Sequence, residues 1–143
     1  MGHNVCEGVR NMRWTDTAKK FLGAFASKDV TTIEKLLDED VRLINWSCDV
    51  KGAGDTINAI ENFFDFVKNI KIHIMNTAYH NKYVCMELEV TYTTTFIDSP
   101  HKTVVANIAY IMEFTDWGRV KSMRVYNMHF RHNITEVEDG DTN

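Results

Sequence analysis

Apolar and polar residues alternate along two runs of the segment 107–130, and the residues Asp-Trp-Gly at 116–118 interrupt that alternation. A period of two indicates β-strands, and a polar interruption that contains glycine indicates a turn. The segment therefore predicts two long antiparallel strands joined by a tight turn. Seven side chains would share one face of this hairpin: Ile108, Tyr110, Met112, Phe114, Met123, Val125 and Asn127. Such a face has to be covered, so the rest of the chain is expected to supply helices.

Three segments that precede the hairpin have the helical period instead. Apolar residues recur at intervals of three and four in the ranges 15–26, 30–37 and 57–67, which predicts three amphipathic helices. Residues able to cap a helix N-terminus stand near the start of the last two: Asp29, and Asp55 or Thr56. Helices first and long strands last predict an α+β fold, in which the helices cover one face of a sheet.

The remaining strands are predicted from the same period of two. A short strand is expected at 41–46, ahead of a loop at 48–54, and two longer strands are expected at 71–78 and 83–96. In the strand at 83–96, five residues would face the helices: Val84, Met86, Leu88, Val90 and Tyr92. The other face of that strand carries Glu and Thr residues and is expected to be polar.

The size and composition of the chain are typical of one globular domain. It has 143 residues, of which 44% are hydrophobic and 25% are charged, enough for a substantial core. We expect a single domain over residues 1–143 with a core at about 15–132. Residues 1–14 and 133–143 have no apolar pattern, so both are expected to be irregular.

Charge and cysteine content argue against several functions. The net charge is −4, so nucleic acid is not an expected partner. No apolar run reaches the roughly 20 residues of a membrane-spanning helix, and no apolar signal-peptide core appears, so we expect no membrane partner and a cytoplasmic protein. Cys6, Cys48 and Cys85 lack CxxC spacing and indicate neither a disulfide framework nor a zinc site. His129 and His132 would point to opposite faces of a strand, so no metal site is expected.

Several local strings, in this order and spacing, resemble the NTF2-like superfamily, in particular its SnoaL-like and ketosteroid isomerase-like branch. They are FASKD at 25–29, DED at 38–40, the glycine and Ala-Ile pair within 54–60 with the Phe-Phe pair that follows, and the closing hairpin. The resemblance covers about residues 15–130. It implies a cystatin-like cone, in which three N-terminal helices cover a curved antiparallel sheet and enclose a mostly apolar cavity. It also implies a homodimer formed through the outer face of the sheet.

The resemblance does not extend to the catalytic residues of ketosteroid isomerases. Those enzymes use a tyrosine, an aspartate base and a protonated aspartic acid, and the matching positions here are Phe21, Asn45 and Tyr110. Phenylalanine cannot donate a hydrogen bond, and an amide is not a useful base. The aspartate of SnoaL-like cyclases is matched by Met128, and no inward aspartate pair suggests the Asp-Arg-Asp relay of epoxide hydrolases. Carboxylate chemistry is therefore not expected.

A partial resemblance to scytalone dehydratase-like members points to histidine and tyrosine chemistry. His73 lies where that subset has a catalytic histidine, whereas Trp46 and Tyr92 stand in place of its tyrosine and second histidine. Histidine has a pKa suited to acid-base work at neutral pH. One hypothesis therefore makes His73 the base and Tyr110 the hydrogen-bond donor. The protein would then be a cofactor-independent dehydratase or isomerase of a small hydrophobic carbonyl or hydroxy compound.

Eight residues are expected to line the pocket for a small hydrophobic ligand: Phe21, Asn45, Trp46, Met86, Leu88, Met112, Met123 and Asn127. The amides are expected there because an amide in an apolar stripe must be paired or face a cavity. The apolar members suit a simple core equally well. A second hypothesis is a non-catalytic ligand-binding or dimerisation module that kept the cavity and lost the acid-base residues. Convergence of His73, Tyr110 and Asn127 on one cavity would favour catalysis.

Overall fold

A computed structural model describes the backbone of residues 2–96 and 101–134 and the side chains of residues 13–96 and 101–127. The described residues form three helices, α1 (Gly2–Ala26), α2 (Val30–Leu36) and α3 (Ala53–Phe64). They also form six strands: β1 (Leu37–Ile44), β2 (Asp49–Lys51), β3 (Val67–His80), β4 (Tyr83–Thr94), β5 (Lys102–Phe114) and β6 (Val120–Ile134). No helix in these ranges is long and apolar enough to cross a membrane.

The six strands form one curved, open sheet in the order β2-β1-β6-β5-β4-β3. Neighbours from β6 to β3 are antiparallel, and β2 is antiparallel to β1. The predicted α+β architecture, with helices over one face of the sheet, is confirmed. One pair differs from the expectation of an antiparallel sheet, because β1 runs parallel to β6. These two strands are far apart in the chain, so no hairpin constrains their relative direction.

The hairpin of β5 and β6 has the predicted inner face. Tyr110 is paired with Val125 and Met112 with Met123, and Phe114, Met112 and Met123 are almost fully buried. The turn between the strands contains Gly118 at φ 89°, a backbone conformation that glycine adopts without steric cost. The alternation that the sequence shows is thus converted into one covered face.

The first helix differs most from the prediction. It begins at Gly2, so residues 2–14 are helical and the prediction of an irregular lead-in is wrong there. The helical backbone does not need an apolar stripe in every turn, and Trp14, which is fully buried, joins this part of the helix to the sheet. At the other end, β6 continues to Ile134, so the prediction that residues 133 and 134 are irregular is wrong. The rest of the predicted irregular tail, 135–143, lies outside the described residues.

The segment from α2 to α3 also differs in detail. The short strand predicted at 41–46 begins earlier, at Leu37, so the acidic residues 38–40 belong to β1 and stand between buried Leu37 and Val41. The predicted loop at 48–54 contains the short strand β2, which pairs with β1. Gly52 occupies the N-cap position of α3, so the prediction that Asp55 or Thr56 caps this helix is wrong. Asp29 caps α2 as predicted.

Candidate functional site

A cavity of about 390 Å³ lies between the helices and the inner face of the sheet. Its walls come from α1, α3, the end of β1 with the loop that follows it, and the strands β3 to β6. Most of the lining is aliphatic or aromatic, because the inward positions of the strands and the apolar stripe of α3 meet there. This volume is in the range of ligand sites in proteins.

The cavity has a closed end and an open end. Four lining residues are exposed and mark the mouth: Trp46, Ser47, Asn62 and Phe66. Tyr110 and buried Met123 lie at the other end, and Ala106 lies between them and the mouth along β5. Because a strand rises about 3.3 Å per residue, the distance along β5 from Ala106 to Tyr110 is roughly 13 Å. The cavity is therefore long enough to hold a molecule larger than one small polar group.

The described lining contains no Asp, Glu, His, Lys or Arg residue. Its polar members are amides, hydroxyls and one thiol: Asn45, Ser47, Cys48, Asn62, Tyr92, Tyr110 and Asn127. Among the residues described, no group of three His, Cys, Asp or Glu side chains could hold a metal ion. The lining thus supplies hydrogen-bonding groups but no residue that is charged at neutral pH.

Tyr110 is the deepest polar residue of the lining. Its hydroxyl donates to the Sδ atom of Met123 at 3.4 Å, and a thioether sulfur is a weak acceptor. Its ring packs edge-on against Phe21, with centroids 6.5 Å apart and planes at 63°. Burial raises the pKa of the Tyr110 phenol, because the charged form would lose its hydration. The group is therefore a neutral hydrogen-bond donor.

Asn127 lies on the same face, nearer the mouth. It is paired with Ile108, whereas Tyr110 is paired with Val125, so the two polar residues are diagonal neighbours with Cα atoms about 7–8 Å apart. The Oδ1 atom of Asn127 is shut off from solvent and has no hydrogen-bond partner among the described residues. A buried acceptor without a donor is unfavourable. A bound molecule with a hydroxyl or N–H group could satisfy it.

Asn45 has a structural use. Its Oδ1 atom accepts hydrogen bonds from Ser47 N at 2.8 Å, Ser47 Oγ at 3.0 Å and Cys48 N at 2.9 Å. Its own backbone N–H donates to the Cys48 carbonyl at 3.0 Å. These bonds hold the loop at 45–48, and with it Trp46 at the mouth of the cavity. Asn45 lines the cavity as predicted, but its carbonyl oxygen is already fully used.

His73 is not part of this cavity. It is exposed on the opposite face of the sheet and is paired with Glu89 of β4. Alternation along β3 turns Ile72 and Ile74 toward the helices, so the residue between them must face outward. His73 therefore does not converge with Tyr110 and Asn127 on one cavity, and the hypothesis that pairs His73 as the base with Tyr110 as the donor is wrong.

The other predicted pocket residues divide into two groups. Five of the eight predicted pocket residues line the cavity: Asn45, Trp46, Leu88, Met123 and Asn127. Tyr110, predicted as a hydrogen-bond donor, lines it as well. The expectation fails for Phe21, Met86 and Met112, which are buried in the core and do not line it. Phe21 packs against Tyr110, Met86 is paired with Tyr110 and Met112 is paired with Met123, so all three lie toward its closed end. Large side chains fill that end because protein interiors are close-packed.

Several lining residues at or beside the mouth were not predicted from the sequence. Cys48, Asn62 and Phe66 stand in a loop, on an exposed helix face and after the end of α3. None of these places has an alternation or a stripe that would mark it. The one sequence signal near the mouth was the Phe-Phe pair at 63–64. Phe63 lines the cavity and packs edge-on against Tyr92, with centroids 5.2 Å apart.

Three solved structures illustrate which proteins share this fold. An LEH-like epoxide hydrolase from M. tuberculosis is 19% identical with a TM-score of 0.70, covering 82% of this chain and 84% of that chain. SalBIII, an epoxide hydrolase/cyclase-like enzyme with a role in pyran ring formation in salinomycin, is 18% identical with a TM-score of 0.72, covering 81% and 91%. An NTF2-like protein of unknown function from Cytophaga hutchinsonii is 14% identical with a TM-score of 0.61, covering 80% and 88%. At these identities the likeness shows the fold alone.

A comparison with curated protein sequences gave no significant match. The family model described as a SnoaL-like domain matches residues 18–123. This range extends from α1 into β6 and includes most of the elements that form the cavity. The chain therefore belongs to the SnoaL-like domain family.

Proposed function

We propose that this protein binds a small, uncharged, mostly apolar molecule in the cavity and does not carry out acid-base chemistry on it. The observation that carries the proposal is the described lining, which contains no carboxylate, imidazole or amine. Proton abstraction from carbon needs a positioned base of suitable pKa. Two neutral phenols and three amides supply hydrogen bonds but no such base.

The same lining favours a neutral ligand over an anion. A carboxylate placed in an apolar cavity loses its hydration, and that loss is large unless a cation or several donors compensate it. The described lining offers no Lys, Arg or His side chain for that purpose. A ketone, an ester or an alcohol would avoid this cost, so these are the ligand classes that we propose.

The two polar groups inside the cavity indicate where the ligand oxygen would lie. The Tyr110 hydroxyl has only a thioether as acceptor, so a carbonyl oxygen would be a better partner for it. The Asn127 Oδ1 atom is without a donor among the described residues, so a ligand hydroxyl could donate to it. A molecule with one oxygenated end would therefore gain hydrogen bonds that the empty protein lacks.

Paired ligands test the neutral character of the site. We expect methyl hexyl ketone to raise the melting temperature and octanoate, which has the same number of carbon atoms, to leave it unchanged, because ligand binding to the folded state alone stabilises it. Isothermal titration calorimetry would give both affinities. Stronger binding of octanoate than of the ketone would contradict the proposal.

A matched pair of tyrosine variants tests the oxygen-binding group. Tyr110→Phe should lower the affinity for methyl hexyl ketone by about two- to tenfold, the range of one net hydrogen bond. Tyr126→Phe is the control, because Tyr126 is exposed and does not line the cavity. Equal affinities of Tyr110→Phe and wild type would exclude Tyr110 as the ligand's partner.

A catalytic function is the second candidate, and the structural relatives that are named as epoxide hydrolases or cyclase-like enzymes favour it. In this chain, catalysis would depend on Tyr110 as a hydrogen-bond donor and on the shape of the cavity. The dehydration of a β-hydroxy ketone such as diacetone alcohol, followed by the absorbance of the enone, separates the two candidates. We expect no acceleration by the wild-type protein. Acceleration that Tyr110→Phe abolishes would establish an enzyme instead.

A further inference from the structure

Two exposed phenylalanines extend the apolar surface beyond the mouth of the cavity. Phe66 lies at the mouth and is 49% exposed, and Phe96 follows the end of β4 and is 47% exposed. Their ring centroids are 5.2 Å apart, with planes at 32°. We call this pair the Phe66–Phe96 shelf.

Hydrogen bonds hold the shelf in place. The backbone N–H of Thr95 donates to the Phe66 carbonyl at 2.8 Å, and the Thr95 hydroxyl donates to the carbonyl of Asp65 at 3.4 Å. These hydrogen bonds connect the segment after α3 to the segment after β4. The backbone that carries each of the two rings is therefore held in place. Exposed aromatic rings do not favour solubility, so a fixed and exposed aromatic pair needs another explanation.

The shelf is continuous with the cavity. Phe66 belongs both to the lining and to the shelf, and the ring of Phe96 packs against the ring of Phe66. An apolar path thus leads from Tyr110 past Ala106 and out over the two rings. A molecule that filled only the cavity would contact Phe66 but would leave the Phe96 ring in water.

We propose that the natural ligand is elongated, with its oxygenated end beside Tyr110 and its apolar far end lying on the Phe66–Phe96 shelf. This inference rests on the proposed function, because it takes the ligand to occupy the cavity. The shelf would then select ligands by length. Each methylene group buried on it should raise affinity by up to about fourfold, as burial of a methylene does elsewhere.

The experiment measures the affinities of straight-chain methyl ketones from hexanone to tridecanone by calorimetry. The proteins are the wild type, Phe96→Ser and a control, Trp117→Ser, which removes an aromatic residue that is 90% exposed and lines no part of this cavity. We expect equal affinities of all three proteins for the short ketones. For the long ketones, affinity should keep rising with length in the wild type and in Trp117→Ser but stop rising in Phe96→Ser.

The outcomes separate the shelf from the cavity. If affinity depends on length in the same way in Phe96→Ser and the wild type, the shelf proposal is wrong and the proposed function stands. If no ketone of any length binds the wild type, the proposed function fails and the shelf proposal fails with it. Binding of short ketones by Phe96→Ser also shows that the variant is folded. Should it fail to fold, Phe96→Leu takes its place, with a smaller loss for the long ketones expected.

A membrane surface is another possible occupant of an exposed aromatic pair. Co-sedimentation of the wild type with phosphatidylcholine vesicles, lost in Phe96→Ser and combined with no length dependence among the ketones, would overturn the proposal in favour of that occupant. We expect no co-sedimentation of either protein.

Discussion

The indole ring of Trp14 in α1 is stacked on the ring of Phe114 at the end of β5, with centroids 5.6 Å apart and planes at 11°. Both side chains are fully buried, and the guanidinium group of Arg13 lies 4.5 Å from the centroid of the same indole ring. Gly118, in the turn between β5 and β6, also lies close to the indole ring. The contact between Trp14 and Phe114 joins α1 to the hairpin of β5 and β6.

Replacement of Trp14 by alanine should lower the free energy of unfolding by about 3–5 kcal/mol, because a large buried aromatic side chain leaves a cavity behind. Urea denaturation followed by circular dichroism measures the change. Trp117→Ala is the matched control, since Trp117 is 90% exposed, and its effect should be within about 0.5 kcal/mol. Equal effects of the two substitutions would show that the stacked pair is not a stabilising contact.

Replacement of Gly118 by alanine should also destabilise the fold, by about 1–2 kcal/mol from the backbone conformation alone. Gly118 has a φ of 89°, and an added Cβ would stand 3.3 Å from Cζ3 of Trp14. The control is Gly23→Ala in α1, where an added Cβ meets no heavy atom within 4 Å. That substitution should stabilise the protein by up to about 1 kcal/mol, because alanine favours the helix more than glycine does. The prediction fails if both changes have the same sign in thermal denaturation.

Replacement of Asn45 by alanine should loosen the loop that carries Trp46 at the mouth of the cavity. Three donors, Ser47 N, Ser47 Oγ and Cys48 N, would lose their acceptor. We expect weaker binding of methyl ketones and a shift of the tryptophan emission to longer wavelength. Asn45→Asp keeps an acceptor oxygen at the same place and should bind ketones as the wild type does. A loss of binding of the same size in both variants would assign Asn45 a direct contact with the ligand.

Asp29 should make the stability of α2 depend on pH in acid. Its carboxylate accepts from the Thr32 hydroxyl at 2.7 Å and from the Thr32 backbone N–H at 3.1 Å. These two hydrogen bonds lower the pKa of Asp29 below its ordinary value of 3.8. A carboxyl group whose pKa is lower in the folded state stabilises that state fully above pH 3.8, and the contribution is lost as the pH falls through the lowered pKa.

The melting temperatures of the wild type and Asp29→Asn measured against pH test this dependence. The wild type should be the more stable of the two at neutral pH, and the difference should shrink as the pH falls below 3.8. Thr32→Val, which removes the hydroxyl donor, should show a weaker dependence on pH than the wild type. A difference between the wild type and Asp29→Asn that is constant with pH would contradict the assignment.

The site could be predicted in part, because part of it depends on local alternation. Tyr110, Met123 and Asn127 were found from the period of two in the closing hairpin, and in a paired sheet that period fixes the face. The absence of the isomerase carboxylates could likewise be read from residue identity at Asn45 and Tyr110. These inferences needed no knowledge of how the elements pack.

The sequence by itself determined the elements with strong periods, the α+β class and the apolar character of the inner face, because each depends on spacing within one segment. The direction of His73, the long first helix that Trp14 anchors, and the parallel pairing of β1 with β6 were decided by the tertiary structure. The tertiary structure also decided which inward-facing residues line the cavity, such as Leu88, and which are packed in the core, such as Met86. Their physical reason is common to all four: strand partners and the distance between helix and sheet are properties of segments that are far apart in the chain, and no local pattern contains them.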